Sequence, residues 1–396
     1  MSQKLPALYL VSAARTAIGS FQGAYASLSA PDLGAVAIRG ALSRAKLDPS
    51  KIEEVFMGNV LTAGIGQAPA RQAMIKAGIP NTTPATTIGK VCGSGLQALV
   101  FGARALAVGD ANVIVTGGME SMTNSPYYLM KARDGYRMGN GQLIDGMIHD
   151  GLWDPYGNVH MGNCGELCAK EHGFSREAQD DYARESYRRA VAAQKEGLFA
   201  REIEPVLIAQ RKGDPLSFAL DEEPAKGDPT KFGGLRPAFD KSGTITAANA
   251  SSLNDGASAM VLATEEAVRA HNLSPMARIT GWASAAHAPE WFTTAPAKAI
   301  DNVLARLGLT AGDIDLYEIN EAFSVVPMAC AKLCNLDLAK VNVRGGAVAL
   351  GHPIGASGAR VVTTLVHAMQ DTGAKRGLAT LCIGGGEAVA VVFERV

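Results

Sequence analysis

AIRGALSRAKLDPSKI, residues 37–52, returns without a gap as AIDNVLARLGLTAGDI, residues 299–314. Ala37, Ile38, Leu42, Arg44, Leu47 and Ile52 each recur 262 positions later. In both copies the apolar residues fall three to four positions apart, the spacing of a helix with one buried face. Each copy runs into a short β-like stretch, EEVFMG at 53–58 and DLYEIN at 315–320. The halves keep rhyming downstream. CGSGLQALVFGARALA precedes NVIVTGGME in the first, and GHPIGASGARVVTTLVHAM precedes LATLCIGGGE in the second. Two copies of one strand–helix–strand pattern predict two similar α/β halves packed face to face. Connections of this type predict largely parallel, buried sheets.

Between the halves lies a stretch of different character, dense in Gly, Asp, Asn and Pro, from DGYRMGNGQLIDG to DGLWDPYGNVHMGN. It holds one amphipathic helix, with Ser175 as its N-cap and Gly197 as its stop. Long irregular segments inside compact proteins usually serve a site. Residues 121–249 therefore read as an insertion covering one. Residues 1–120 with about 250–270 form the first half, and 271–396 the second.

The totals agree with an α/β protein: 396 residues, 47% apolar, and 44 glycines for tight turns. A net charge of −1 without runs of either sign gives no footing for nucleic acid or anionic lipid. The N-terminal MSQKLPALYLVSAARTA lacks the features of a secretory leader. The apolar runs read as shorter than the roughly 18 residues of a membrane span, so no membrane contact is expected. Six cysteines in so long a chain are expected to be reduced thiols in a cytoplasmic setting.

Four positions carry the prospect of chemistry: Cys92 in KVCGSG, Asn320 in EINEAF, His352 in GHPIGASG and Cys382 in LCIGGGE. Cys92 and His352 stand at helix starts in opposite halves, and Asn320 and Cys382 at strand ends in the second. A pseudo-twofold would bring all four to one place, where open α/β sheets bind ligands. A helix N-terminus lowers a thiol's pKa and favours a developing oxyanion. A nearby histidine completes a nucleophile–base pair. For each residue alone, a buried apolar thiol or a satisfied turn residue is the plainer reading; the joint arrangement favours catalysis. His160, Cys164, Cys168 and His172 repeat every four residues, with Cys330 and Cys334 as a second such pair. Twelve helical residues rise about 18 Å, too far for one ion to reach all four. Neither a P-loop nor a G-x-G-x-x-G fingerprint occurs.

VSAARTAIGSFQG, VTGGMESMTNSPY, NEAF, NVRGGAVALGHPIGASG and ATLCIGGGEAVA together resemble the thiolase family nearly end to end. The resemblance implies the thiolase fold: duplicated βαβαβαββ halves in a five-layer αβαβα core with an inserted loop domain. It implies reversible Claisen condensation of two acetyl-CoA molecules to acetoacetyl-CoA and CoA. Cys92 matches the acyl-accepting nucleophile, His352 its activator and Cys382 the second acid/base. Asn320 matches the residue that positions an oxyanion-hole water, and the N–H groups of Cys92 and Gly384 the other oxyanion hole. Leu152, His160, Met161, Phe239, Ala247, Ser251 and Phe323 match positions along the coenzyme A path, and Phe292 one beside the acyl group. Lys226 stands where the family's adenine-side arginine has no clear counterpart. Tyr187, Ala247, Ala248 and Ala250 resemble a potassium-responsive branch. Thr293 replaces a proline of relatives that accept 2-methyl substrates, and Arg344 stands where Asn or His is common. No covalently bound cofactor is implied, and a homotetramer, a dimer of dimers, is. A longer-chain degradative 3-ketoacyl-CoA thiolase and a non-catalytic acyl-CoA- or lipid-binding relative remain alternatives.

Overall fold

The computed structural model describes residues 6–396; the first five residues, part of the expected leaderless start and of the first half, lie outside the described residues. The first half runs β1 (Leu8–Arg15), α1 (Ala30–Ala45), β2 (Glu54–Gly58), α2 (Pro69–Lys76), β3 (Ala85–Ile88), α3 (Ser94–Val108) and β4 (Val113–Ser121). After an insertion holding α4 (Met161–His172) and α5 (Arg176–Lys195), it closes with β5 (Asn254–Thr264). The second half runs β6 (Ala277–Ala286), α6 (Ala295–Leu307), β7 (Leu316–Ile319), α7 (Val325–Cys334), α8 (Ile354–Thr372), β8 (Arg376–Ile383) and β9 (Glu387–Arg395). The quoted repeat is α1 with the turn into β2, and α6 with the turn into β7.

Strand order is β3-β2-β4-β5-β1 in the first half and β7-β8-β9-β6 in the second, the same order once β3 is set aside. The two join through β1 and β6, where Leu8, Tyr9 and Leu10 face Ile279, Arg278 and Ala277. Where β3 lies beside β2, the second half keeps one isolated bridge from Tyr317 to Val341.

Alternation along the strands builds the layers. Val113 and Val115 face α1 and α2, while Ile114 between them faces α3 and α8. The inner faces of both sheets, with Leu262 from one and Leu381 from the other, close on α3 and α8. Ile300 of α6 and Val326 of α7 cover the outside of the second sheet. The five layers are thus helices, sheet, the α3–α8 pair, sheet, helices.

Two sequence expectations need correction. The sheets are mixed: β2 pairs parallel with β3 and β4, and β7 with β8, but every other pairing is antiparallel. Each half ends on two antiparallel neighbours. The second pair is joined by the tight turn at Gly384–Gly386, and the first is parted by the insertion, so a helical crossover is not needed there. Residues 91–108 are also long and apolar enough to cross a membrane. That apolarity belongs to α3 as a mostly buried core helix packed against α8 and the sheets, with Arg104 and Val108 toward solvent near its C-terminal end.

Candidate active site

The chain leaves β3 through a turn in which Val91 adopts a left-handed φ of 43°. That conformation is costly for a β-branched residue. Ser94 holds the turn: its Oγ accepts from the Lys90 N–H at 2.8 Å and donates to the Val91 carbonyl at 2.7 Å. Cys92 therefore stands just before α3, partly exposed to a cavity. Its glycine neighbours serve the contact between halves. A Cβ at Gly93 would overlap Ile383 of β8, and one at Gly95 would lie 2.8 Å from the Ala359 nitrogen of α8.

His352 enters from the other half. Its backbone N–H donates to Asn254 Oδ1 at 3.0 Å. Gly351, at φ 102°, passes so close to that Asn254 amide that a side chain there would overlap it. The ring lies between two partners: Nδ1 is 2.6 Å from Ser357 Oγ, and Nε2 is 3.4 Å from Asn320 Nδ2. Asn320 follows β7, and its N–H donates to the Thr380 carbonyl of β8 at 3.1 Å. Cys382 lies in β8 opposite Ala388, fully buried. Gly384 opens the next turn beside Val91 and Met161 and aims its N–H at the Cys92 sulfur. Glu120, ending β4, accepts from the N–H groups of Val60 at 3.1 Å, Leu61 at 3.2 Å and Gly355 at 2.9 Å. It thereby pins the start of α8, and with it His352, to the first half.

Burial pushes the Cys92 thiol up to about 12, against the pull of the Gly384 N–H. Desolvation thus outweighs the Gly384 and Cys92 N–H groups and moves the thiol in the direction opposite to the one expected of a helix start. Burial, followed by the charge of Cys92, raises Cys382 well above the usual thiol range. Burial, then the Arg360 guanidinium, holds His352 down to about 3. At neutral pH the site holds two thiols and a neutral imidazole able to accept a proton.

The cavity at Cys92 and His352 has a volume of about 340 Å³. Gly384 and Ala322 border its reactive end, and Met161, Phe292 and Phe323 crowd it. Leu152, His160 and Phe239 line it from the insertion, with the His160 and Phe239 rings stacked at 4.7 Å. Ala247, Ala250 and Ser251 form another wall. The reading from sequence missed Met122, Met147, Ile148 and Ile354 in the walls. It also missed Asn254 and Glu120, whose partners are remote in the chain, and Ser357, whose partners His352 and Pro353 lie within five residues. The one legible sign of Glu120 and Ser357 was their place inside the long motifs.

Other positions fall elsewhere. Tyr187 packs edge-on against Phe232, in one cluster with Ala248, away from the cavity. Among the described residues, no hydrogen bond reaches the carbonyls of Ala247 or Ala248. Lys226 is held by Ser20 and by Glu223, 3.7 Å away, and does not line the cavity. Thr293 is buried behind Phe292 rather than in the wall. Arg344 pairs with Asp371 and lies 3.8 Å from Glu202. His160, Cys164, Cys168 and His172 do lie along one helix, α4 with its N-cap. Among the described residues, no three His, Cys, Asp or Glu side chains converge on a metal position.

Comparison with known proteins meets this geometry from outside. Residues 8–266 match the family described as thiolase, N-terminal domain, and residues 273–395 that described as thiolase, C-terminal domain. An acetyl-CoA acetyltransferase of Cupriavidus necator is 52% identical over 387 residues, 98% of each chain. One from Schizosaccharomyces pombe is 48% identical, covering 98% of this chain and 99% of its own. The crystal structure of the Acat5 thiolase from Ascaris suum in complex with coenzyme A superposes with a TM-score of 0.93 at 46% identity, covering 98% of this chain and 100% of that one. With a duplicated five-layer core, a cysteine and a histidine brought together from its two halves, and both family domains matched in order, the chain belongs to the thiolase family.

Proposed function

We propose that this chain is an acetyl-CoA C-acetyltransferase: it condenses two acetyl-CoA to acetoacetyl-CoA and CoA, and runs thiolysis in reverse. The observation that carries this reading is the convergence of Cys92, His352 and Gly384 on one crowded cavity, with Asn320 against the His352 ring. Coenzyme A enters as substrate and leaves as product.

In the first half-reaction the Cys92 sulfur attacks the acetyl-CoA carbonyl as its proton passes to His352. The carbon–sulfur bond to CoA breaks, and His352 returns the proton to the departing CoA sulfur. The Cys92 and Gly384 N–H groups receive the transient oxyanion. In the second, Cys382, once it has lost its own proton to solvent, takes an α-proton from a new acetyl-CoA, with Asn320 and His352 beside the enolate oxygen. The carbanion attacks acetyl-Cys92. The Cys92 sulfur leaves and takes the proton from Cys382. Burial makes Cys382 a strong base once ionised, which suits an α-proton of high pKa.

Met161, Phe292 and Phe323 favour a short acyl chain over the longer-chain alternative. Tyr187 and the free carbonyls of Ala247 and Ala248 fit a potassium ion, which would stiffen the wall carrying Ala247, Ala250 and Ser251. A paired hairpin, Tyr127–Tyr128 with Ile144–Asp145, belongs to a segment exposing Met130, Met138 and Leu143; that apolar surface supports a homotetramer. Unpaired thiols fit a cytoplasmic setting.

Purified protein given acetoacetyl-CoA and CoA, or 3-ketooctanoyl-CoA and CoA, tests the reading. Faster cleavage of acetoacetyl-CoA, with ping-pong kinetics, is expected. Faster cleavage of the longer chain would overturn the substrate choice.

A further inference from the structure

The geometry points to Ser357 as a positioning residue that fixes the tautomer of His352, holding its proton on Nδ1 so that Nε2 is the basic nitrogen. The inference rests on the proposed role of His352 as proton acceptor for Cys92. Ser357 lies in the first turns of α8, almost wholly buried, with its Oγ 2.6 Å from His352 Nδ1. The same Oγ lies 3.0 Å from the Pro353 carbonyl, one helical turn back. A serine has one proton to donate. The Pro353 carbonyl, which also accepts from the Ala356 and Ser357 N–H groups at 2.9 Å, can only accept; with the hydroxyl proton aimed at it, the serine lone pair faces Nδ1. In that arrangement the ring is the donor of the 2.6 Å bond.

The opposite side of the ring agrees. Asn320 places its Nδ2, a donor, 3.4 Å from Nε2, which suits an unprotonated Nε2. Asn320 Oδ1 has no partner; an amide turned over would pair it with an Nε2–H, and this is the arrangement the ¹⁵N spectrum distinguishes. The reverse tautomer would need two changes at once: the serine proton must leave Pro353, and the Asn320 amide must turn over. The charged group that bears on the ring is Arg360, one turn further along α8, 3.3 Å from Glu318 of β7. It disfavours a protonated ring without choosing between neutral tautomers. That choice falls to Ser357 with Asn320.

The consequence is kinetic. Only a lone pair on Nε2, the nitrogen on the Asn320 side, can take the Cys92 proton. Without the Ser357 acceptor, the Nδ1–H form loses its advantage, and part of the protein carries its proton on the wrong nitrogen.

The test uses protein labelled with ¹⁵N-histidine, the His352 signals being assigned by their loss in His352→Asn. The wild type is expected to show a neutral ring with Nδ1–H. Ser357→Ala is expected to show Nε2–H in a substantial fraction. It is also expected to acetylate Cys92 more slowly in proportion to the competent fraction left, about tenfold where nine rings in ten carry Nε2–H, with His352 still neutral. Ser357→Thr, which keeps the hydroxyl, is expected to restore both. A wild-type ring carrying its proton on Nε2 would overturn the inference, and this outcome is readable even if Ser357→Ala does not fold. So would a Ser357→Ala variant with the wild-type tautomer and acetylation rate. Failure of the wild type to acetylate Cys92 at all would instead count against the catalytic reading, while the tautomer would still be read from the spectrum.

Discussion

At the scale of single residues, the site runs on neutral groups held in readiness. Burial raises Cys92 to about 12 and lowers His352 to about 3, so neither titrates across the ordinary working range. Acetylation of Cys92, followed by rapid quench, is therefore expected to be flat through pH 6.5, the ordinary imidazole value of about 6.5 being absent from the profile. An inflection there would mean that the ring is wetter than its packing implies. The same shift has a sign for stability. Between about 6.5 and 3 the unfolded chain holds a proton on His352 that the folded chain refuses, so this residue makes stability fall as pH falls. His352→Asn is expected to flatten that part of the pH–stability curve, measured by urea unfolding. Asn320→Ala, which removes an oxyanion partner, is expected to lower kcat about 10²-fold or more with a smaller change in KM. Cys92 was legible because two glycines beside a thiol at a helix start need a reason. Glu120 and Asn254 were not. Their function lies in groups they meet only after folding, the Gly355 and His352 N–H groups, and nothing local in their sequence announces it.

At the scale of elements, catalysis depends on how closely α3 and α8 cross. Gly95 meets Ala359, and Gly358 meets the backbone of Leu96, with no room for a Cβ on either side. Gly358→Ala forces these helices apart and is expected to cost about 1–3 kcal/mol of stability, the usual range for overpacking. It is also expected to lose more activity than stability, because Cys92 and His352 ride on the starts of the two helices. Denaturant titration beside a kcat measurement checks both. Helix α5 was readable to its caps: Ser175 Oγ accepts from the Ala178 N–H at 3.1 Å, and Gly197 takes φ 72°. Strand direction was not readable, because apolar alternation is the same in parallel and antiparallel neighbours. What decides it is the connection, here the turn at Gly384–Gly386 in one half and the long insertion in the other.

At the scale of the whole molecule, three regions are tied by buried charge. Arg15, at the end of β1, pairs with Glu202 at 2.6 Å and Asp221 at 2.7 Å, both in the insertion. Thr364 of α8 reaches the same Glu202 at 3.2 Å, and Arg344 adds its link to Asp371. Arg344 thus closes a network rather than altering the cavity. Arg15→Met would leave Asp221 buried without a cation and Glu202 with only Arg344 at 3.8 Å, so it is expected to cost about 3–5 kcal/mol, read from the midpoint of urea unfolding. The duplication that organises all of this was visible in one sixteen-residue match, because helices and the turns after them keep their apolar spacing. The insertion was visible only as a change of texture, since its fold is set by what it covers. The central claim is that one thiol from each half shares the chemistry, Cys92 holding the acyl group and Cys382 moving the α-proton. Labelled acetyl-CoA, mixed with Cys382→Ala and followed by mass analysis of the intact protein and its peptides, tests it most directly. The account predicts one acetyl group on Cys92 and no acetoacetyl-CoA; condensation at the wild-type rate, or no acetyl group on Cys92, would contradict it.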